Sequence, residues 1–238
     1  HLAEGLRRED PSAGHIATTI DPALQKSLEA LAARAARTSP ARASLAILVA
    51  DHRTGEILAS VGSPDWTDAT RAGFVDMTRA LRSPGSTLKP FVYALAFDQG
   101  LAHPETLIED RPVAFGSYAP QNFDRTFRGT VTAREALQMS LNIPVVSLTE
   151  ALGPARLLAT LRRAGAAPVL PAGEPGLAVA LGGLGLTLED LVAAYAALAR
   201  LGSPIRLVTR PGAPQPAAGP LFSPEAAWLV ADILAGLP

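Results

Sequence analysis

The sequence predicts an α+β fold in which helices dominate, and three observations carry that prediction. Asp21-Pro22, Thr132 to Glu135, Thr187 to Asp190 and Ser223-Pro224 are all strong helix-start signals. Residues 44–61 read as a strand, a turn and a second strand, and no other hairpin is as convincing. No segment recurs at a fixed period, as a repeat architecture would require. The 238 residues suffice for one large or two small domains with a sizeable core.

Taken in order, residues 1–18 are polar and broken by Pro11 and Gly14, which predicts an irregular lead-in. Asp21 caps the next helix, with Pro22 at its first position and Leu24, Leu28, Leu31 and Ala35 as its apolar stripe. Ser44–Asp51 is the strongest strand. Its continuous apolar run, Leu45 to Ala50, predicts an inner strand covered on both faces. His52-Arg53-Thr54-Gly55 turns into the partner strand Glu56–Val61, with Gly55 supplying a positive φ.

A helix should run from Ser86 to Phe97 or Asp98 and stop before Gly100. Pro90 has no N–H for the Ser86 carbonyl, so the first turn is distorted or lies at the helix N-terminus. Either way Ser86 sits at the positive end of the helix dipole. Residues 101–131 read as a long loop containing Tyr118-Ala-Pro-Gln-Asn122. Thr132 and Glu135 form a capping box for a short helix ending near Met139. A helix over Pro154–Ala164 stops at Gly165. The helix opened by Thr187–Asp190 aligns Leu188, Leu191, Val192, Tyr195 and Leu198, with Gly202 behind it. Residues 203–222 are Pro-rich and extended, and Ser223 starts a last helix.

Composition removes several function classes. A formal net charge of −1 leaves no basic surplus for nucleic acid and no acidic tail. Cysteine is absent, so disulfides and thiol chemistry are excluded. His1, His15, His52 and His103 have no ligand spacing, and neither a metal nor another cofactor is expected. The least polar stretch, Leu177 to Leu188, is too short and Gly-rich to span a bilayer. The first residues carry no signal-peptide pattern.

Lysine carries the chemistry. The chain has 19 arginines but only two lysines, so surface cations default to Arg, and Lys89 stands three residues after Ser86. A Lys ammonium can be driven toward neutrality by burial, whereas an Arg guanidinium cannot. Positions three apart share a helix face, and a neutral amine beside a hydroxyl activates a serine without histidine. Chance predicts roughly 0.1 Ser-x-x-Lys matches in such a composition. The bland alternative is an N-cap serine with a solvent-facing lysine, but the apolar run after Lys89 places it at the edge of a core. The second element is Ser140-Leu-Asn142, 54 residues beyond Ser86. Ser and Asn at a helix end commonly just cap carbonyls. In the functional reading, Ser140 relays a proton between Lys89 and a leaving amine, and Asn142 orients Lys89 and binds a substrate amide.

Ser86-Thr-Leu-Lys89-Pro-Phe followed by Met-Ser140-Leu-Asn142-Ile-Pro resembles the penicillin-binding proteins, whose motif set these elements match. The likeness is greatest to the transpeptidase domain of bifunctional class A enzymes, particularly the 1C type. Thr18 to Gln25, Tyr118 to Asn122 and Leu181 to Tyr195 resemble further stretches of that domain, so the similarity runs from residue 18 onward. It implies a lead-in over 1–18 and a partial transpeptidase domain over 19–238. The implied fold is that of penicillin-binding proteins and serine β-lactamases, here with an incomplete antiparallel sheet.

The implied activity is D,D-transpeptidation of peptidoglycan stem peptides, with Ser86 attacking the D-Ala-D-Ala carbonyl, Lys89 as base, and Ser140 and Asn142 at the leaving amine. β-Lactams would acylate the same serine. The implied location is periplasmic, with the parent protein anchored in the bacterial inner membrane. The family's third motif, Lys-Thr/Ser-Gly, has no counterpart, since the lysines are Lys26 and Lys89. We therefore expect a fragment that stops before the third-motif strand, lacks the preceding glycosyltransferase domain and anchor, and acylates slowly or not at all. The bare edge of the Ser44–Asp51 strand would then invite self-association. Two other readings stay open: a serine β-lactamase, and a non-catalytic module of the same fold that binds peptidoglycan or partner proteins.

Overall fold

The computed structural model describes residues 1–237 except Ser117, Ala172 and Pro216. The chain divides into two compact units, one formed by residues 1–82, 186–196 and 205–217, the other by 83–185, 197–204 and 218–238.

In the first unit, the expected irregular lead-in is corrected: Leu2–Glu9 is a helix, α1, whose Leu6 is buried. Two leucines one turn apart, an acidic first turn and a basic last turn stabilise it despite Gly5. Helix α2 (Pro22–Thr38) starts as expected. The Asp21 carboxylate accepts hydrogen bonds from the Ala23 and Leu24 amides at 2.8 and 3.0 Å. Its inward face is turned from the expected stripe, because Ala32 and Ala36 are the buried residues and Leu31 is 44% exposed.

Strand β1 (Ile47–Ala50) pairs antiparallel with β2 (Ile57–Val61) in the register Ile47–Val61, Leu48–Ser60, Val49–Ala59, with an irregularity before Ala50–Ile57. Gly55 closes the turn at φ +79°, and a Cβ there would lie 2.3 Å from the Arg206 carbonyl oxygen. The inner position belongs to β2, not β1. Ile57, Ala59 and Val61 are buried, and Ile57 N–H also bonds the Val208 carbonyl at 2.8 Å. All four β1 residues are half-buried, and among the described residues β1 pairs with β2 alone.

Helix α7, Leu188–Ala199, opens where expected, and its start is closed by a reciprocal cap. Thr187 N–H donates to Asp190, and Asp190 N–H donates to Thr187 Oγ1. Of its expected stripe only Leu198 is fully buried; Ala194, Ala196 and Ala197 are buried instead.

The second unit is built around α3 (Lys89–Asp98), in which every residue from Lys89 to Phe97 is buried. Helices α4 (Ala133–Gln138), α5 (Asn142–Leu152), α6 (Pro154–Arg163) and α8 (Pro224–Ala235) all pack on it. Two corrections fall here. Residues 101–131 are not wholly loop, because β3 (Leu107–Asp110) pairs antiparallel with β4 (Gly129–Thr132). Helix α5, absent from the expectation, fills residues 142–152. The Thr132–Glu135 capping box opens α4 as expected, and Ser223 Oγ caps α8.

Candidate active site

The site lies within the second unit and starts from the Pro90 problem. Residues Gly85–Leu88 form a 3-10 turn, and Lys89 N–H bonds the Ser86 carbonyl, so the chain enters α3 without needing a donor from Pro90. In a 3-10 turn residues three apart eclipse one another, which stacks Ser86 and Lys89. The seat of this turn needs glycine at 182. A Cβ there would stand 2.2 Å from Gly85 N, and Ser83 Oγ donates to the Gly182 carbonyl at 2.7 Å.

Ser86 is exposed and Lys89 is almost completely buried. Lys89 Nζ meets three acceptors: the Ser140 carbonyl at 2.5 Å, Ser140 Oγ at 3.1 Å and Asn142 Oδ1 at 2.7 Å. An ammonium has three donors, so these partners saturate it. Burial pushes the Lys89 amine down from the ordinary 10.5 to about 8. Among the described residues Lys89 makes no hydrogen bond to Ser86; as an ammonium it has no proton left for one. Once neutral, it has a lone pair that can accept the Ser86 proton.

The second motif is aimed by a strained turn. Ser140 N–H bonds the Leu137 carbonyl and Leu141 N–H bonds the Ala136 carbonyl, a Schellman closure of α4 with Ser140 at the left-handed position. Glycine is usual there. Ser140 takes φ +52°, a conformation that costs a residue with a Cβ about 1–2 kcal/mol. The turn directs both Ser140 oxygens at Lys89 and starts α5 at Asn142.

The structure thus joins Lys89, Ser140 and Asn142 by hydrogen bonds and sets Ser86 in the turn that leads into Lys89. Three contributors had no assigned role in the sequence reading: Gly182, Asp110 and Asn122. Asn122, one of only two asparagines, accepts the Asn142 N–H at 2.7 Å through Oδ1. Asn142 Nδ2 donates to the Gln121 carbonyl at 2.7 Å. Two signals were available for Asn122, the rarity of asparagine and its place in the Tyr118–Asn122 stretch.

The penicillin-binding protein transpeptidase domain family matches residues 45–236. Penicillin-binding protein 1C of Escherichia coli (strain K12) is 47% identical over 221 residues, covering 92% of this chain and 29% of that protein. Penicillin-binding protein 1B of Vibrio cholerae is 34% identical over 165 residues, covering 62% of this chain and 20% of that protein. The chain therefore spans less than a third of these curated relatives. Among solved structures, the penicillin-binding protein PonA1 of Mycobacterium tuberculosis superposes with a TM-score of 0.78 at 21% identity, over 97% of this chain and 67% of that one. The same protein in complex with penicillin V gives 0.75 at 23% identity, over 92% and 62%. These two structures establish the shared fold.

Proposed function

Because this chain belongs to the penicillin-binding protein transpeptidase family, we propose that it carries the acyl-transfer half of a peptidoglycan cross-linking site. The single observation that supports this most is Lys89, buried beneath three second-motif acceptors and one turn after an exposed serine.

In the proposed reaction the neutral Lys89 amine takes the Ser86 Oγ proton as Oγ attacks the carbonyl carbon of a D-Ala-D-Ala stem peptide. The tetrahedral intermediate then expels the terminal D-alanine amine, which is protonated from Lys89 by way of Ser140 Oγ. The amine of a second stem peptide attacks the resulting ester and restores Ser86. Asn142 holds Lys89 and offers an amide to the substrate. A β-lactam enters by the same attack and remains as an ester.

The whole protein is proposed to work at the periplasmic face of the inner membrane, anchored there outside these residues; no described helix is long and apolar enough to cross a membrane. The chain's own acylation is proposed to be slow, because it holds no Lys-Thr/Ser-Gly sequence. The resemblance implies that the strand carrying that motif supplies an oxyanion donor, and losing one such donor costs about 10²- to 10³-fold in rate. The second edge of β1 is proposed as a route to weak self-association.

The test is prolonged incubation with a penicillin followed by mass mapping. A slowly formed adduct on Ser86, lost in Ser86→Ala, supports the reading. Rapid nitrocefin turnover selects a β-lactamase, and no adduct at any concentration selects a binding module.

A further inference from the structure

Asn142 can serve Lys89 only if both its backbone and its side chain are held, yet α5 begins without any local cap. Its N-cap residue is Leu141, whose side chain has no hydrogen-bonding atom. The first free amide of the helix, Asn142 N–H, goes instead to Asn122 Oδ1, 20 residues upstream in sequence.

Asn122 is itself fixed with only one workable amide orientation. It is 4% exposed, and its Nδ2 lies 2.9 Å from each oxygen of Asp110 and 2.8 Å from the Thr126 carbonyl. All three neighbours accept, so nitrogen must face them and oxygen must face Asn142. Asp110 is fully buried at the end of β3. Its Oδ2 accepts a further bond from Arg128 N–H at 2.7 Å. The β3–β4 pair thus carries a buried polar chain from Asp110 through Asn122 to Asn142 and on to Lys89.

We propose that Asn122, oriented by Asp110, is a positioning residue of the catalytic centre that caps α5 and sets Asn142 Oδ1 against Lys89 Nζ. Its role deepens the acyl-transfer reading and rests on it for its meaning, but its geometry can be tested without any turnover. A flipped or absent Asn122 amide leaves the part-buried Asn142 N–H without its acceptor, and the first turn of α5 moves to find another. Asn142 then leaves Lys89, and water reaches the amine. Hydration raises the Lys89 midpoint, which burial depresses, and loss of the Asn142 acceptor lowers it, so the midpoint reports where Asn142 stands.

With only Lys26 and Lys89 in the chain, selective ¹³C,¹⁵N-lysine labelling resolves both side chains by NMR. Asn122→Ala should move the Lys89 titration midpoint by at least about half a pH unit while the Lys26 signal stays unchanged. Should Asn122→Ala fail to fold, Asn122→Ser carries the same test, its hydroxyl being too short to span Asp110 and Asn142 together. An unchanged Lys89 midpoint in the folded single variant overturns the proposal. A shift there with no penicillin adduct on Ser86 sustains the positioning role and breaks the acyl-transfer reading instead.

Discussion

The run Leu45–Ala50 ahead of the hairpin turn and the run Pro90–Ala96 in α3 are both without charged residues and rich in apolar ones, and the fold treats them in opposite ways. Every residue of α3 from Lys89 to Phe97 is buried, while every residue of β1 stays half-buried. Hydropathy is therefore not what separates them. Helix α3 has four helices of its own unit packed on it, whereas among the described residues β1 has a single strand on one edge. An apolar run states how much burial a segment can use; its neighbours decide how much it receives.

The largest effect should come from emptying the crowded side of this comparison. Phe91→Ala removes a ring with no exposed surface and should cost about 3–5 kcal/mol in urea unfolding. Next is the seat of the turn that leads into α3. Gly182→Ala sets a Cβ at φ +84° against Gly85 N and should cost roughly 2–3 kcal/mol. Because that turn carries Ser86, the same variant should also slow penicillin adduct formation. Destabilisation with unaltered adduct kinetics would separate the turn from the site.

On the open side, Val49→Ala should cost under about 1 kcal/mol, since its side chain is only half-buried. If it matched Phe91→Ala, the contrast drawn here would be wrong. Val49→Lys should be tolerated and, by placing a charge on the free strand edge, should lower any self-association seen by light scattering. The smallest effect is a gain. Tyr93 Oη is buried without a hydrogen-bond partner among the described residues, and both burial and the Asp110 charge push its phenol up. Tyr93→Phe removes that orphan hydroxyl and should stabilise the protein by up to about 1 kcal/mol.

The same reasoning explains what was legible in the sequence. Local rules found α2, α4, α7 and α8, because their caps come from residues within three positions of the helix start. Helix α5 escaped them because its cap, Asn122, is remote, and because its apolar residues cover all sides and leave no period to read. Strands β3 and β4 escaped because Glu109, Asp110 and Gly129 interrupt any apolar alternation. Within the site, Ser86, Lys89, Ser140 and Asn142 stood out by residue type and spacing. The Asp110–Asn122 brace did not, since it exists only once β3 and β4 pair. The α2 and α7 stripes were drawn through the large residues, yet alanines form much of the buried surface, because small side chains let neighbouring elements approach closely.

The central claim is that Lys89 is a base brought near neutrality by burial, not a permanent cation. The most direct test is the pH dependence of penicillin adduct formation on Ser86, followed by intact mass. With the amine at about 8, only about a tenth is neutral at pH 7. The rate should climb about tenfold per pH unit below that point and level off above it, and Lys89→Arg should abolish it. A profile that is flat from pH 6 to 9, or a Lys89→Arg variant that still acylates Ser86 at the unsubstituted rate, would contradict the account.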